Sequence, residues 1–164
     1  MGLFSFIKNA GAKVFGIGKT DKEEAEAAEA AEVKMETLAA RKLEETASDL
    51  DLQVEGLTIF IDDDAATITG VAADQATKEK VVLLVGNSDG IATVDDQMTV
   101  AVAEVEVPEA QFHAVVSGDT LGKIAKHYYG DAMKYPEIFE ANKPMLTDPD
   151  KIYVGQVLRI PALD

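Results

Sequence analysis

The chain contains no cysteine and no tryptophan, only two histidines, and half as many basic residues as acidic ones, 15 against 30. Each shortage excludes a class of function. Without cysteine there is no disulfide framework, no thiolate nucleophile and no thiolate metal centre. Two histidines are too few for most zinc sites. A net charge of −15 repels phosphate backbones and anionic lipid surfaces, so neither nucleic acid nor membrane is an expected partner. No apolar run approaches the ~18 residues of a membrane span. The start, Met-Gly-Leu-Phe-Ser-Phe-Ile-Lys, has no basic residue before its apolar stretch, which Ser5 interrupts and Lys8 stops, so it does not read as a secretory signal. Phe6 stands where a myristoylation signal wants Ser or Thr. A cytoplasmic location is expected.

What is present describes a globular protein, with 47% apolar and 27% charged residues. The length of 164 residues suits one domain or two small ones. Charge divides the chain. Residues 111–164 hold 6 basic and 7 acidic residues, a net of −1, whereas residues 1–110 hold 9 and 23, a net of −14. That step argues for two units. Such an acidic unit concentrates cations without selecting one.

At the N-terminus Leu3, Phe6, Ile7, Ala10 and Val14 fall at helical spacing, and Gly11 can end a first short helix. Gly18-Lys19-Thr20 resembles the end of a phosphate loop, but Lys13 occupies the position that needs glycine, and no strand precedes it. The Glu/Ala-rich stretch 21–36 suits a solvated helix or an acidic linker. An amphipathic helix follows over Val33 to Ala47, with Met35, Leu38, Ala39 and Leu43 apolar. Alternation over 52–61, a turn at Asp62-Asp63-Asp64 and a return strand over 66–71 predict a hairpin. The Asp triplet lacks the glycine and terminal glutamate of a calcium loop. Asp74 is the expected cap of a helix over 75–85, closed by Gly86. Ile91 to Val102 reads as a last strand, broken at Asp95-Asp96. This order, α-β-β-α-β, is joined through 103–111 to a β-α-α-β order. That second unit comprises a strand at Phe112, a turn at Ser117-Gly118, a helix capped by Asp119 or Thr120 that carries Leu121, Ile124, Ala125 and Tyr128 and is closed by Gly130, a second helix over about 133–141, and a strand over 157–161. His113, His127, Ser117 and Asp119 make a triad only on paper, since no Gly-x-Ser-x-Gly elbow is present, and no enzyme activity is expected.

The second unit resembles a LysM domain in Val115, Gly118-Asp119-Thr120-Leu121, Ile124-Ala125, Tyr128, Gly130, Ile138, Ala141-Asn142, Ile152, Gly155-Gln156, Leu158 and Ile160-Pro161. Residues 33–100 resemble a BON domain in element order and in the segment from Gly90-Ile91 to Gln97. A BON–LysM chain with Met-Gly-Leu-Phe at one end and Gly-Gln-Val-Leu-Arg-Ile-Pro at the other is similar to the bacterial cytoplasmic potassium-binding proteins. The likeness covers the first fifteen residues and nearly all of 57–164, whereas 16–56 are longer and more acidic.

The resemblance implies an α+β protein of two small domains, BON over 33–102 and LysM over 112–164. Segment 1–15 contributes to an ion site, 16–32 forms an acidic linker or helix, and 103–111 forms a linker. It implies a monomer that binds one K⁺, or Rb⁺ or Cs⁺ in its place, becomes more compact on doing so, and serves as a potassium sensor or buffer. The implied ligands are the main-chain carbonyls of Ile7, Lys8, Ala10, Gly86, Ser88 and Ile91, with Ser88 standing where an apolar residue is expected. Neutral carbonyls can replace the water shell of a large, weakly hydrated ion, and a helix end leaves its last carbonyls unpaired and partly negative. Gly86 and Gly90 are expected to take positive φ there. The alternative is binding of an N-acetylglucosamine-containing glycan by Gly118, Asp119, Thr120, Leu121, Asn142 and Pro144.

Overall fold

The computed structural model describes residues 2–5, 21–101 and 110–163, with side chains from residue 29 onward. The order is β1 (Gly2–Ser5), α1 (Asp21–Asp49), β2 (Val54–Asp62), β3 (Ala65–Ala72), α2 (Gln75–Gly86), β4 (Thr93–Asp96), β5 (Thr99–Val100), β6 (Gln111–Ala114), α3 (Leu121–Tyr129), α4 (Tyr135–Ala141) and β7 (Val157–Ile160). The protein is α+β. The first unit contains the expected α-β-β-α-β order and the second β-α-α-β.

The acidic stretch and the amphipathic segment after it form one helix, because no glycine or proline interrupts 21–49. It ends where Asp51 turns left-handed at φ +57 and the Leu52 N–H donates to the Ala47 carbonyl at 2.9 Å. The hairpin β2–β3 turns at Asp63, whose φ of +54 lies in the left-handed region that Asp tolerates. Along it Ile59, Ile61, Ala66 and Ile68 point inward and Phe60 outward, the two-residue alternation of a half-buried sheet. These residues pack with Ala40 and Ala47 of α1, Val81, Val82 and Val85 of α2, and with Ile91, Val94 and Met98.

The sheet order is β1-β4-β3-β2, with β5 also on β3. Two expectations are corrected here. The last strand breaks after Asp96, not at Asp95-Asp96: the Asp96 carboxylate is buried, accepts the Met98 N–H at 3.0 Å and turns the chain between β4 and β5. Lys78 balances it at 3.2 Å. At the N-terminus, Gly2–Ser5 form a strand where helical spacing predicts a helix. β4 presents an otherwise open edge, and its unpaired peptide groups draw the segment into an antiparallel pairing.

In the second unit Thr120 caps α3 by accepting the Lys123 N–H, and Gly130 closes it at φ +75. A turn of 3₁₀ helix over 132–134 precedes α4. The two-stranded sheet β6–β7 and the helices enclose Val115, Leu121, Ile124, Ala125, Ile138, Leu146, Leu158 and Ile160. All four residues of β7 are buried. Leu158 and Ile160 face this core, while Val157 and Arg159 belong to the side that meets α2. Met145 of the second unit also packs on the first unit's core.

Candidate functional site

The helix α2 ends in a loop whose peptide groups can be followed one by one. Of its last four carbonyls, Leu83 accepts the Asn87 N–H at 2.9 Å, Leu84 the Ser88 hydroxyl at 2.8 Å, and Val85 the Ser88 N–H at 3.0 Å. The fourth, Gly86, meets no donor among the described residues. Among the described residues the Ser88 carbonyl takes one long bond of 3.3 Å, from the Ile91 N–H. This is a helix C-terminus with a partial negative charge and oxygens that can still accept. Gly90, at φ +91, supplies the positive φ that reverses the chain. The same expectation for Gly86 is corrected: Gly86 is the last helical residue, and Asn87 ends the helix at φ −85. The Ser88 hydroxyl and the two amides cap the carbonyls that a left-handed glycine would otherwise serve.

Ile91 is buried in the first core, whereas Asp89 and Gly90 are exposed. A cleft runs from this loop to Lys42, Leu43 and Thr46 of α1 and to Tyr153 of the second unit. Ile7, Lys8 and Ala10 lie outside the described residues. The strand that precedes them, β1, pairs Gly2 with Asp96 and Ser5 with Thr93.

The sequence reading missed the residue between two of the expected ligands. The Asn87 amide donates to the Val157 carbonyl at 2.9 Å and accepts the Val157 N–H at 2.7 Å. It does for the outer edge of β7 what a neighbouring strand would do. Asn142 repeats the device two residues on, donating to the Arg159 carbonyl and accepting its N–H, both at 2.8 Å. Glu79, Leu83 and Asn87 fall at i, i+4 and i+8 on one face of α2. Glu79 forms an ion pair with Arg159, and Leu83 is buried between the two polar contacts. The unbroken run Val81-Val82-Leu83-Leu84-Val85 was the available signal: a helix apolar on more than one side is covered on more than one side.

Most of the residues named for a glycan have internal partners. Asn142 is buried, and its amide also donates to Ile138. Leu121 lies in the core and Thr120 caps α3. The Gly118 carbonyl accepts from the Lys123 ammonium at 2.6 Å. Asp119 accepts the Val116 N–H at 3.0 Å and bonds His113 at 2.9 Å, and these two donors, in that order, hold its carboxyl below the ordinary range. Pro144 follows a cis peptide in the loop after α4. Of the paper triad, His113 and Asp119 do meet, but the other ring nitrogen of His113 bonds the Tyr128 hydroxyl at 3.2 Å, and Ser117 joins neither residue. Elsewhere the carboxylates of Glu32, Glu36 and Asp63 lie within 4.8 Å of one another on the surface.

Residues 113–161 match the LysM domain family. Potassium binding protein Kbp of Escherichia coli O6:H1 (strain CFT073) is 44% identical over 164 aligned residues, spanning 98% of this chain and 99% of that protein. The chain belongs to the Kbp family. Two shorter likenesses accompany it. An uncharacterized protein of Deinococcus radiodurans is 51% identical over 50 residues, 30% of this chain and 19% of that one. Esterase Rv1288 of Mycobacterium tuberculosis is 39% identical over 77 residues, 47% of this chain and 16% of the esterase. Membership in the Kbp family rests on nearly the whole chain, whereas the esterase shares only a fraction of its length. Among the described residues no helix is long and apolar enough to cross a membrane.

Proposed function

We propose that this protein binds one potassium ion between its N-terminal segment and the loop after α2, through the carbonyls of Ile7, Lys8, Ala10, Gly86, Ser88 and Ile91. The observation that carries the reading is the loop between α2 and β4, in which Ile91 lies two residues before the Thr93 with which Ser5 of β1 pairs. The Gly86 carbonyl, which meets no donor among the described residues, lies at the other end of the same loop. The Kbp relative is named for potassium binding, and the chemistry agrees. Carboxylate sites suit calcium and magnesium, whereas neutral carbonyls suit a large monovalent cation. The net charge of −15 adds a screened, long-range attraction. The protein then acts as a potassium sensor or buffer in the bacterial cytoplasm, as a monomer, without catalysis. The glycan reading has less support, because Asn142, Leu121 and Thr120 are engaged within the domain.

Thermal melting in matched NaCl, KCl and RbCl tests this. A ligand of the native state stabilises by RT ln(1 + [L]/Kd), about 2.7 kcal/mol at a hundredfold excess over Kd. KCl and RbCl are expected to raise Tm above NaCl, and removal of residues 2–11 is expected to abolish the difference. Equal melting in all three salts refutes potassium binding. A response that survives truncation refutes the N-terminal ligands.

A further inference from the structure

We propose that Asn87 couples the ion site to the second unit, so that β7 sets how tightly the loop holds its ion. The inference rests on the potassium reading above. Asn87 stands between Gly86 and Ser88, two of the carbonyl-bearing residues, and its own backbone N–H closes the last turn of α2 on Leu83. Its side chain has no freedom of its own, because both ends of the amide are bonded to one residue, Val157. Two bonds to the N–H and C=O of a single residue fix the amide plane, and the fixed amide restrains the Asn87 backbone two bonds away. The Gly86 and Ser88 carbonyls are thereby held in one orientation before an ion arrives. Without β7 the loop keeps Gly90 and its freedom, and the carbonyls must be ordered when the ion binds.

A second contact between the units shows that this role is local. Glu79 and Arg159 also join α2 to β7, but Glu79 lies two helical turns before Asn87. That pair holds the units together, whereas Asn87 transmits to the loop. Binding linkage is reciprocal, so an ion that favours the ordered loop must strengthen the Asn87–Val157 contact by the same factor.

Strand β7 contains its own control. The Val157 N–H donates to Asn87 across the units, and the Arg159 N–H donates to Asn142 within the second unit. Amide hydrogen exchange of the full chain, with and without saturating KCl at constant ionic strength, separates the two. Potassium is expected to slow exchange at Val157 about tenfold, within the usual range of coupling, and to leave Arg159 unchanged. Calorimetric titration with KCl is expected to show that Asn87→Ala binds about tenfold more weakly than the wild type. No slowing at Val157, or equal slowing at both amides, overturns the coupling, as does wild-type affinity in Asn87→Ala. If that variant does not fold, the wild-type exchange result decides alone. A wild-type chain that gives no binding heat overturns the potassium reading itself. Binding by the wild type without the Val157 effect overturns only the coupling.

Discussion

Arg159→Met removes the cation from a buried pair and leaves Glu79 behind. The side chains of Arg159 and Glu79 are 10% and 5% exposed, so water does not reach the orphaned carboxylate while the units stay docked. Two donors remain on it, the Gln75 amide at 2.9 Å and the Ala110 N–H at 3.2 Å. Breaking a buried ion pair by removing one partner costs about 3–5 kcal/mol. The two remaining bonds place this case near the lower end, about 3 kcal/mol. For a chain of this length that corresponds to a fall in Tm of roughly 6–12 °C. The loss has a ceiling, because separating the units rehydrates Glu79. If docking contributes less than the penalty, the units part and one melting transition becomes two. Glu79→Leu combined with Arg159→Met removes both charges and leaves the Ala110 N–H without its acceptor, a cost of about 1–3 kcal/mol. The double variant is therefore expected to be more stable than Arg159→Met alone. Urea unfolding and scanning calorimetry of the three proteins check this. A single transition within about 1 kcal/mol of wild type for Arg159→Met, or a double variant less stable than it, would refute the argument.

Three further outcomes test the loop and the cap of α2. Gly90→Val, at φ +91 with open space around it, is strained by the backbone alone by about 1–2 kcal/mol, and a K⁺ titration is expected to show up to about a tenfold loss of affinity. Ser88→Ala removes the hydroxyl bond to Leu84 but keeps the main-chain oxygen, so it costs about 1 kcal/mol of stability and leaves affinity unchanged; the reverse pattern would mean that side chains hold the ion. Asp74→Ala removes the bond accepted from the Thr77 N–H at 2.6 Å and is expected to cost about 1 kcal/mol at pH 7. That N–H is the leading cause holding the Asp74 carboxyl below its ordinary 3.8. The wild-type advantage is therefore full above that value and is expected to shrink in urea melts as pH falls through the lower folded value. A difference that persists unchanged into acid would refute the assignment.

Short-range patterns carried the sequence reading a long way. Asp74, Thr120 and Gly130 mark helix ends through bonds made within a few residues, and those ends lie where the sequence put them. The hairpin was legible because its side chains alternate and the Asp triplet tolerates the turn. The loop 86–91 is singled out by the resemblance to the potassium-binding proteins, with which a helix end that leaves carbonyls open agrees. Long-range pairing decided the rest. Leu3 and Phe6 keep helical spacing on paper, yet Gly2–Ser5 form a strand because β4 has an edge to satisfy, and nothing near residue 5 in the sequence announces residue 93. The break after Asp96 follows from a buried carboxylate that Lys78, on another element, balances. Asn87 reads as an ordinary loop residue until β7 arrives with an unpaired peptide 70 residues away. A sequence states which backbone groups a segment leaves open. Only the tertiary structure states which distant group closes them, because hydrogen bonds and buried charges are satisfied in space rather than along the chain.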